Sequence, residues 1–274
     1  MTGRLQGEVA HITGGSRGTG EHIVRLYAQE GAKVVFCGRD GENGEQIEAD
    51  IRAAGGEAWF RPVDMLDPQQ TIASLAFTAK TFGKITILVN HAAPLALLEH
   101  DGGPTQVEDD RWRELIEGHL TCAAFIPCKY GIPYLQAAGG GAIVQTSSMT
   151  ALQAGATIGY STAKAAQIAF IRNLAFVHAR DNIRANTMVL GYTPGPSTAG
   201  IPQIDEQYRR NTPLGSGRLG DVAPLAVYLG SKESRFMTGQ TVILDGGLSS
   251  YIPGSMDQAL YSLEQGAFSD ERAA

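Results

Sequence analysis

The sequence predicts an α/β fold, a doubly wound parallel sheet of about seven strands with helices on both faces. Three observations predict it. Short apolar runs alternate with longer amphipathic ones along most of the chain. Several of the 34 glycines stand at the expected strand-to-helix turns. At 274 residues and 43% hydrophobic composition, the chain can bury one sizeable core. We expect one domain over 1–247, with 248–274 as a carboxy-terminal extension.

The elements follow in order. Strand 8–13 enters a glycine-rich turn, Thr13-Gly14-Gly15-Ser16-Arg17-Gly18-Thr19-Gly20. Helix 19–30 follows, with Ile23, Val24, Leu26 and Tyr27 as its apolar face and Gly31 placed to end it. Glycines let a backbone approach a ligand closely, and a helix amino end offers free amides and a positive dipole end. A pyrophosphate is the natural occupant. Strand 33–37 is followed by Gly38 and Arg39, helix 43–54 and strand 58–63. Helix 68–82 precedes strand 86–90, and one long helix is expected over 109–137. Strand 142–146, helix 160–180, strand 184–189, helix 221–230 and strand 241–244 complete the pattern.

Such sheets bind ligands beyond the carboxyl ends of their strands. A carboxylate ending the second strand would bind both ribose hydroxyls of NAD, and Gly38-Arg39 offers none there. Arg17 and Arg39 together suit a ribose phosphate, although Asp40 lies next to them and two solvated arginines would read the same way. We therefore expect NADP(H) as cofactor, ahead of NAD(H).

Tyr160 and Lys164 stand four apart in a predicted helix, so they share a face. An ammonium beside a phenol favours the phenolate and eases proton transfer near neutral pH. Ser147 and Ser148 lie upstream, where a hydroxyl could hold a carbonyl or alcohol oxygen against the phenol.

The net charge of -6 shows no footprint for nucleic acid or an anionic membrane. The three cysteines, Cys37, Cys122 and Cys128, form no close-spaced metal pair, and their odd, sparse count fits reduced thiols in a cytosol. The six histidines make no metal-ligand pattern. Neither a leader peptide, a membrane-spanning run nor an internal repeat is expected.

In order and spacing these motifs resemble the short-chain dehydrogenase/reductase family, in its single-domain Rossmann-like form, from about residue 5 to 248. The resemblance implies that Thr13–Gly20 is the cofactor turn, with Gly14, Ser16, Arg17, Gly18, Thr19 and Gly20 in contact. It implies that Asp64 bonds the adenine amino group, with Met65 beside it. Asn90, His91 and Ala92 match the turn after the fourth strand. Gly191 and Thr193 match the segment holding the nicotinamide carboxamide. Ser148, Tyr160 and Lys164 match the catalytic serine, tyrosine and lysine, Ser147 being a substitute for Ser148 if the spacing is one residue short. The implied activity interconverts a ketone or aldehyde and an alcohol, with Tyr160 exchanging the proton and Lys164 lowering its pKa. A non-catalytic nucleotide-binding protein and an enone reductase are the alternatives.

Three positions depart from the family pattern. His119 stands seven residues after Trp112, where a fourth catalytic residue, asparagine, is expected. It could relay protons, titrating near neutrality, or fill space as a neutral ring. His91 and Ala93 replace Asn and Gly, and Leu190 replaces a proline before Gly191.

Substrate choice should fall to 94–98, 149–158 and 192–208. The first two segments hold no arginine or lysine, so a small apolar carbonyl or alcohol is expected, with Arg209 and Arg210 solvated. The tail carries Tyr251, Ile252, Met256, Leu260, Tyr261, Leu263 and Phe268, too apolar for a plain disordered end. It is expected to pack at a subunit interface of a homo-oligomer, dimer or tetramer, or on its own subunit. A cytoplasmic location is expected.

Overall fold

A computed structural model describes residues 3–155, 157–196 and 202–251, with backbone only at 202–204. Most of the tail, 252–274, lies outside the described residues, and so does its expected packing.

Seven parallel strands form one sheet in the order β3-β2-β1-β4-β5-β6-β7. They are β1 Val9–Thr13, β2 Lys33–Gly38, β3 Glu57–Pro62, β4 Ile87–Asn90, β5 Gly141–Ser148, β6 Ile183–Leu190 and β7 Thr241–Leu244. Winding runs outward from β1 in both directions, so it reverses between β1 and β4, the place where such sheets open a crevice. Ala10 faces Val34 on one side and Ile87 on the other, which sets all three strand ends level.

Helices α1 Gly18–Gln29, α2 Gly41–Ala53 and α8 Ala223–Gly230 cover one face. Their Ile23, Val24, Tyr27, Ile47 and Val227 pack with sheet residues Val34, Ile87 and Val144. Helices α3 Pro68–Phe82, α5 Ile126–Ala137 and α6 Ile158–His178 cover the other, through Leu75, Leu135, Ile171 and Leu174. Each such fully buried aliphatic side chain contributes about 1.5–3 kcal/mol relative to exposure. Among the described residues, no helix is long and apolar enough to cross a membrane.

Two expectations need correction. The predicted helix over 109–137 is three pieces: α4 Asp109–Ile116, a π-helical stretch Glu117–Phe125, and α5. Pro127 in the first turn of α5 brings no amide hydrogen, so regular helical bonding cannot run through it. A further helix, α7 Pro202–Asn211, lies in the segment read only as substrate-facing. A polar stretch flanked by Pro and Gly carries little apolar periodicity, which is why the sequence did not announce it. Arg209 and Arg210 are exposed, as expected, but both pair with Glu206, at 2.6 and 2.5 Å.

Candidate active site

A cleft of about 1070 Å³ opens at the carboxyl ends of the strands. Thr13, Gly38, Val63, His91, Ser148 and Gly191 each stand at or just past a strand end and line it.

The turn after β1 is built for close approach. Gly14 is left-handed (φ 75°), and a Cβ there would meet the Ala92 Cα at 2.7 Å. A Cβ on Gly20 would run into the Gly14 carbonyl oxygen. The Thr13 hydroxyl accepts the amides of His91 and Ala92, at 3.1 and 3.2 Å, and joins the two turns. No side chain caps α1, so its first amides remain available to a ligand. Gly14, Ser16, Arg17, Gly18 and Thr19 line the cleft, whereas Gly20 is buried behind Gly14.

Arg17 and Arg39 both line the cleft, are exposed, and have no ion-pair partner among the described residues. Asp40 is occupied elsewhere: its carboxylate caps α2 by accepting the Asn43 amide at 3.2 Å. Gly38 touches Ser16 so closely that a Cβ there would strike the serine hydroxyl. The residues present therefore fit a dinucleotide.

Ser148, Tyr160 and Lys164 meet on the opposite wall. Lys164 is 2% exposed, and its ammonium donates to the Thr146 carbonyl at 3.0 Å and to Gln167 Oε1 at 3.4 Å. It lies 5.7 Å from the centroid of the Tyr160 ring. Burial lowers the lysine to about 8. Burial also raises the Tyr160 phenol above its ordinary 10, while the neighbouring Ser148 hydroxyl opposes the rise; that hydroxyl accepts from the Thr150 amide and hydroxyl at 3.3 and 3.2 Å. This corrects the expected lowering by Lys164: in the chain alone, desolvation of the phenol is the largest effect and raises it. The Ser147 hydroxyl donates to the Lys164 carbonyl at 2.8 Å, which commits it to holding α6 against β5.

His119 is 0% exposed and does not line the cleft. Its ring stands edge-on to Tyr160, centroids 4.9 Å apart, and neither ring nitrogen has a hydrogen-bond partner. Burial first, and Lys164 second, lower it to about 4. Its carbonyl, inside the π-helical stretch, accepts Gln167 Nε2 at 2.6 Å. Gln167 thus bridges Lys164 to the His119 backbone. The sequence reading missed Gln167, although its place three after Lys164 puts both on one helix face.

The other expected residues divide. Met65, His91, Ala92, Gly191 and Thr193 line the cleft. Asp64 and Asn90 do not. The Asp64 carboxylate accepts the Leu66 amide at 3.1 Å, and Asn90 donates to Gln145 and to the Cys128 sulfur, both at 3.2 Å. All three expected substrate segments reach the wall. Leu95 and Leu98, then Met149 and Thr157, then Tyr192 and Tyr208 face the space beside Tyr160, and the last two rings stack at 4.4 Å. Asp101 is a second residue the sequence reading missed; it binds the amides of Gly159 and Tyr160.

Three histidines, two of them buried and His91 half-buried at the cleft, give the protein an acid weakness. His11, His91 and His119 all sit at about 4, lowered chiefly by burial. The unfolded chain takes up these protons first, so stability is lost as pH falls from about 6.5 towards 4. At pH 5 each contributes on the order of 2 kcal/mol of destabilisation. Urea unfolding at pH 7 and pH 5 should show the drop, and His11→Gln should shrink it. Equal midpoints at the two pH values would contradict this account.

Comparison with known proteins agrees with this geometry. A family model described as enoyl-(acyl carrier protein) reductase matches residues 14–249. The chain belongs to the short-chain dehydrogenase/reductase family. It is 33% identical over 253 residues to 2,5-dichloro-2,5-cyclohexadiene-1,4-diol dehydrogenase of Sphingobium indicum, covering 91% of this chain and 99% of that protein. It is 33% identical over 262 residues to the NADP-dependent (R)-specific alcohol dehydrogenase of Lentilactobacillus kefiri, covering 91% and 100%. Among solved structures it resembles 7α-hydroxysteroid dehydrogenase complexed with NADH and 7-oxo glycochenodeoxycholic acid. There the TM-score is 0.83 and the identity 28%, over 89% of this chain and 95% of the other.

Proposed function

We propose that the protein is an NADP(H)-dependent oxidoreductase that interconverts a small apolar ketone or aldehyde with its alcohol. The observation that carries this reading is that Tyr160, Ser148 and the buried Lys164 line one cleft, with the ammonium 5.7 Å from the centroid of the phenol ring. The nicotinamide, when bound, supplies or accepts the hydride. The turn residues Gly14, Ser16 and Thr19 would hold the pyrophosphate, Arg17 and Arg39 the ribose phosphate, and Gly191 and Thr193 the nicotinamide end.

The chain's own groups then act as follows. Ser148 holds the substrate oxygen against the phenol, and Tyr160 gives that oxygen its proton. A phenol held above 10 is protonated at neutral pH, which suits carbonyl reduction. Lys164, at about 8, is mostly cationic at pH 7 and compensates negative charge left on the phenolate. Gln167 and the Thr146 carbonyl keep the ammonium in place.

Enone reduction is the second reading, favoured by the description of the matching family model. The names of the relatives, a diol dehydrogenase and an alcohol dehydrogenase, favour the first. NADPH and NADH oxidation should be followed across a panel of ketones and enones. Ketone turnover with NADPH preferred supports the proposal. Turnover of enones alone, or a preference for NADH, rejects it.

His119 acts here as a packed neutral ring. His119→Asn is therefore expected to keep kcat within about tenfold, because no ring nitrogen is bonded. A loss of about a hundredfold, the size a general acid–base group supplies, would make it a proton carrier instead.

A further inference from the structure

Helix α6 begins at Ile158, and the side chain of its N-cap residue, Thr157, caps no backbone amide of the first turn. Those amides are satisfied from far away in the chain. The Asp101 carboxylate accepts the Gly159 amide at 3.0 Å through one oxygen and the Tyr160 amide at 2.8 Å through the other. The Gly102 carbonyl accepts the Ile158 amide at 3.2 Å. Asp101 is itself held, since it also accepts the Gly102 amide at 2.8 Å. Three consecutive free donors of the helix end are thus taken by two residues almost sixty positions upstream.

We propose that Asp101 is a positioning residue for the Tyr160 hydroxyl, acting as a carboxylate clamp on the first turn of α6. The proposal rests on the reading of Tyr160 as the proton donor. A cap at position 157 would tie the helix end only to itself. Asp101 ties it to another segment of the cleft wall, because it directly follows the 3-10 turn Leu95–His100, whose Leu95 and Leu98 line the cleft. A carboxylate at a helix amino end is favoured by charge-assisted bonds and by the helix dipole. The bond to the tyrosine's own amide fixes the residue that carries the phenol. A displacement of about 1 Å at such a group can cost about a hundredfold in rate.

The test compares Asp101→Ala, which removes both acceptors, with Asp101→Asn, which keeps one. Asp101→Ala is expected to lower kcat for ketone reduction about thirtyfold. NADPH dissociation should stay within twofold, and the ketone KM should change far less than kcat. Hydrogen exchange at the amides of 159 and 160 should quicken about tenfold or more, as expected of helix-end amides left without acceptors. Asp101→Asn should fall between Asp101→Ala and wild type in both readouts, and it carries the test if the alanine variant does not fold. The exchange measurement needs no substrate, so it separates the clamp from the chemistry. Unchanged exchange overturns the clamp. Faster exchange with unchanged kcat overturns the positioning role. If wild type reduces no ketone, the reading of Tyr160 falls, and this proposal falls with it.

Discussion

Tyr160→Phe is expected to lower kcat for ketone reduction by about a thousandfold or more, within the range a positioned general acid supplies. Binding of NADPH should remain within twofold. The substitution keeps the ring, its edge-on contact with His119 and the helix that carries it. What it deletes is the hydroxyl that, in the proposed chemistry, protonates the substrate oxygen beside Ser148. The proton would then have to come from water. Steady-state kinetics on a ketone, with NADPH binding measured separately, tests this. Turnover within tenfold of wild type would mean the proton comes from another group, and the proposed chemistry would be wrong.

Gly20→Ala is expected to weaken NADPH binding about a hundredfold, equivalent to roughly 2.7 kcal/mol, and to lower the melting temperature as well. The added methyl would collide with the Gly14 carbonyl oxygen, a backbone atom that cannot rotate away. Gly14 in turn lies against Ala92, so the strain reaches both turns that frame the cleft. Overpacking of this kind costs about 1–3 kcal/mol, occasionally more. Gly41→Ala is the control. It also sits in the first turn of a helix, but a methyl there meets nothing within 4 Å. Nucleotide titration of the two variants should separate them. Equal affinities would show that the turn is not the pyrophosphate cradle.

Much of this was legible in the linear chain. Alternating strand and helix periods carry the sheet, because a parallel strand buried on both faces and an amphipathic helix leave different apolar patterns. All seven strands were read from those patterns, with ends shifted by one or two residues in all but β7. The Tyr160–Lys164 pair was legible for a similar reason, since four residues on a helix return to the same face. The absence of a carboxylate at Gly38 and the glycine turn are equally local facts.

Other features came only from the folded chain, and the physical reason is common to them. Asp101 caps a helix that begins 57 positions later, counting from Asp101 to Ile158. No local spacing marks such a pair, because tertiary packing alone brings the carboxylate to those amides. The π-helical stretch and the Gln167 bridge to the His119 carbonyl likewise depend on how α6 packs beside that stretch. The sign of the Tyr160 shift shows the limit most clearly. The sequence supplied the lysine and hence an expectation of a lowered phenol. Burial decides the outcome, and burial is a property of everything packed around the ring. Residue type and spacing determined which groups could do chemistry; three-dimensional packing determined which of them are dry, which are paired, and which face the cleft.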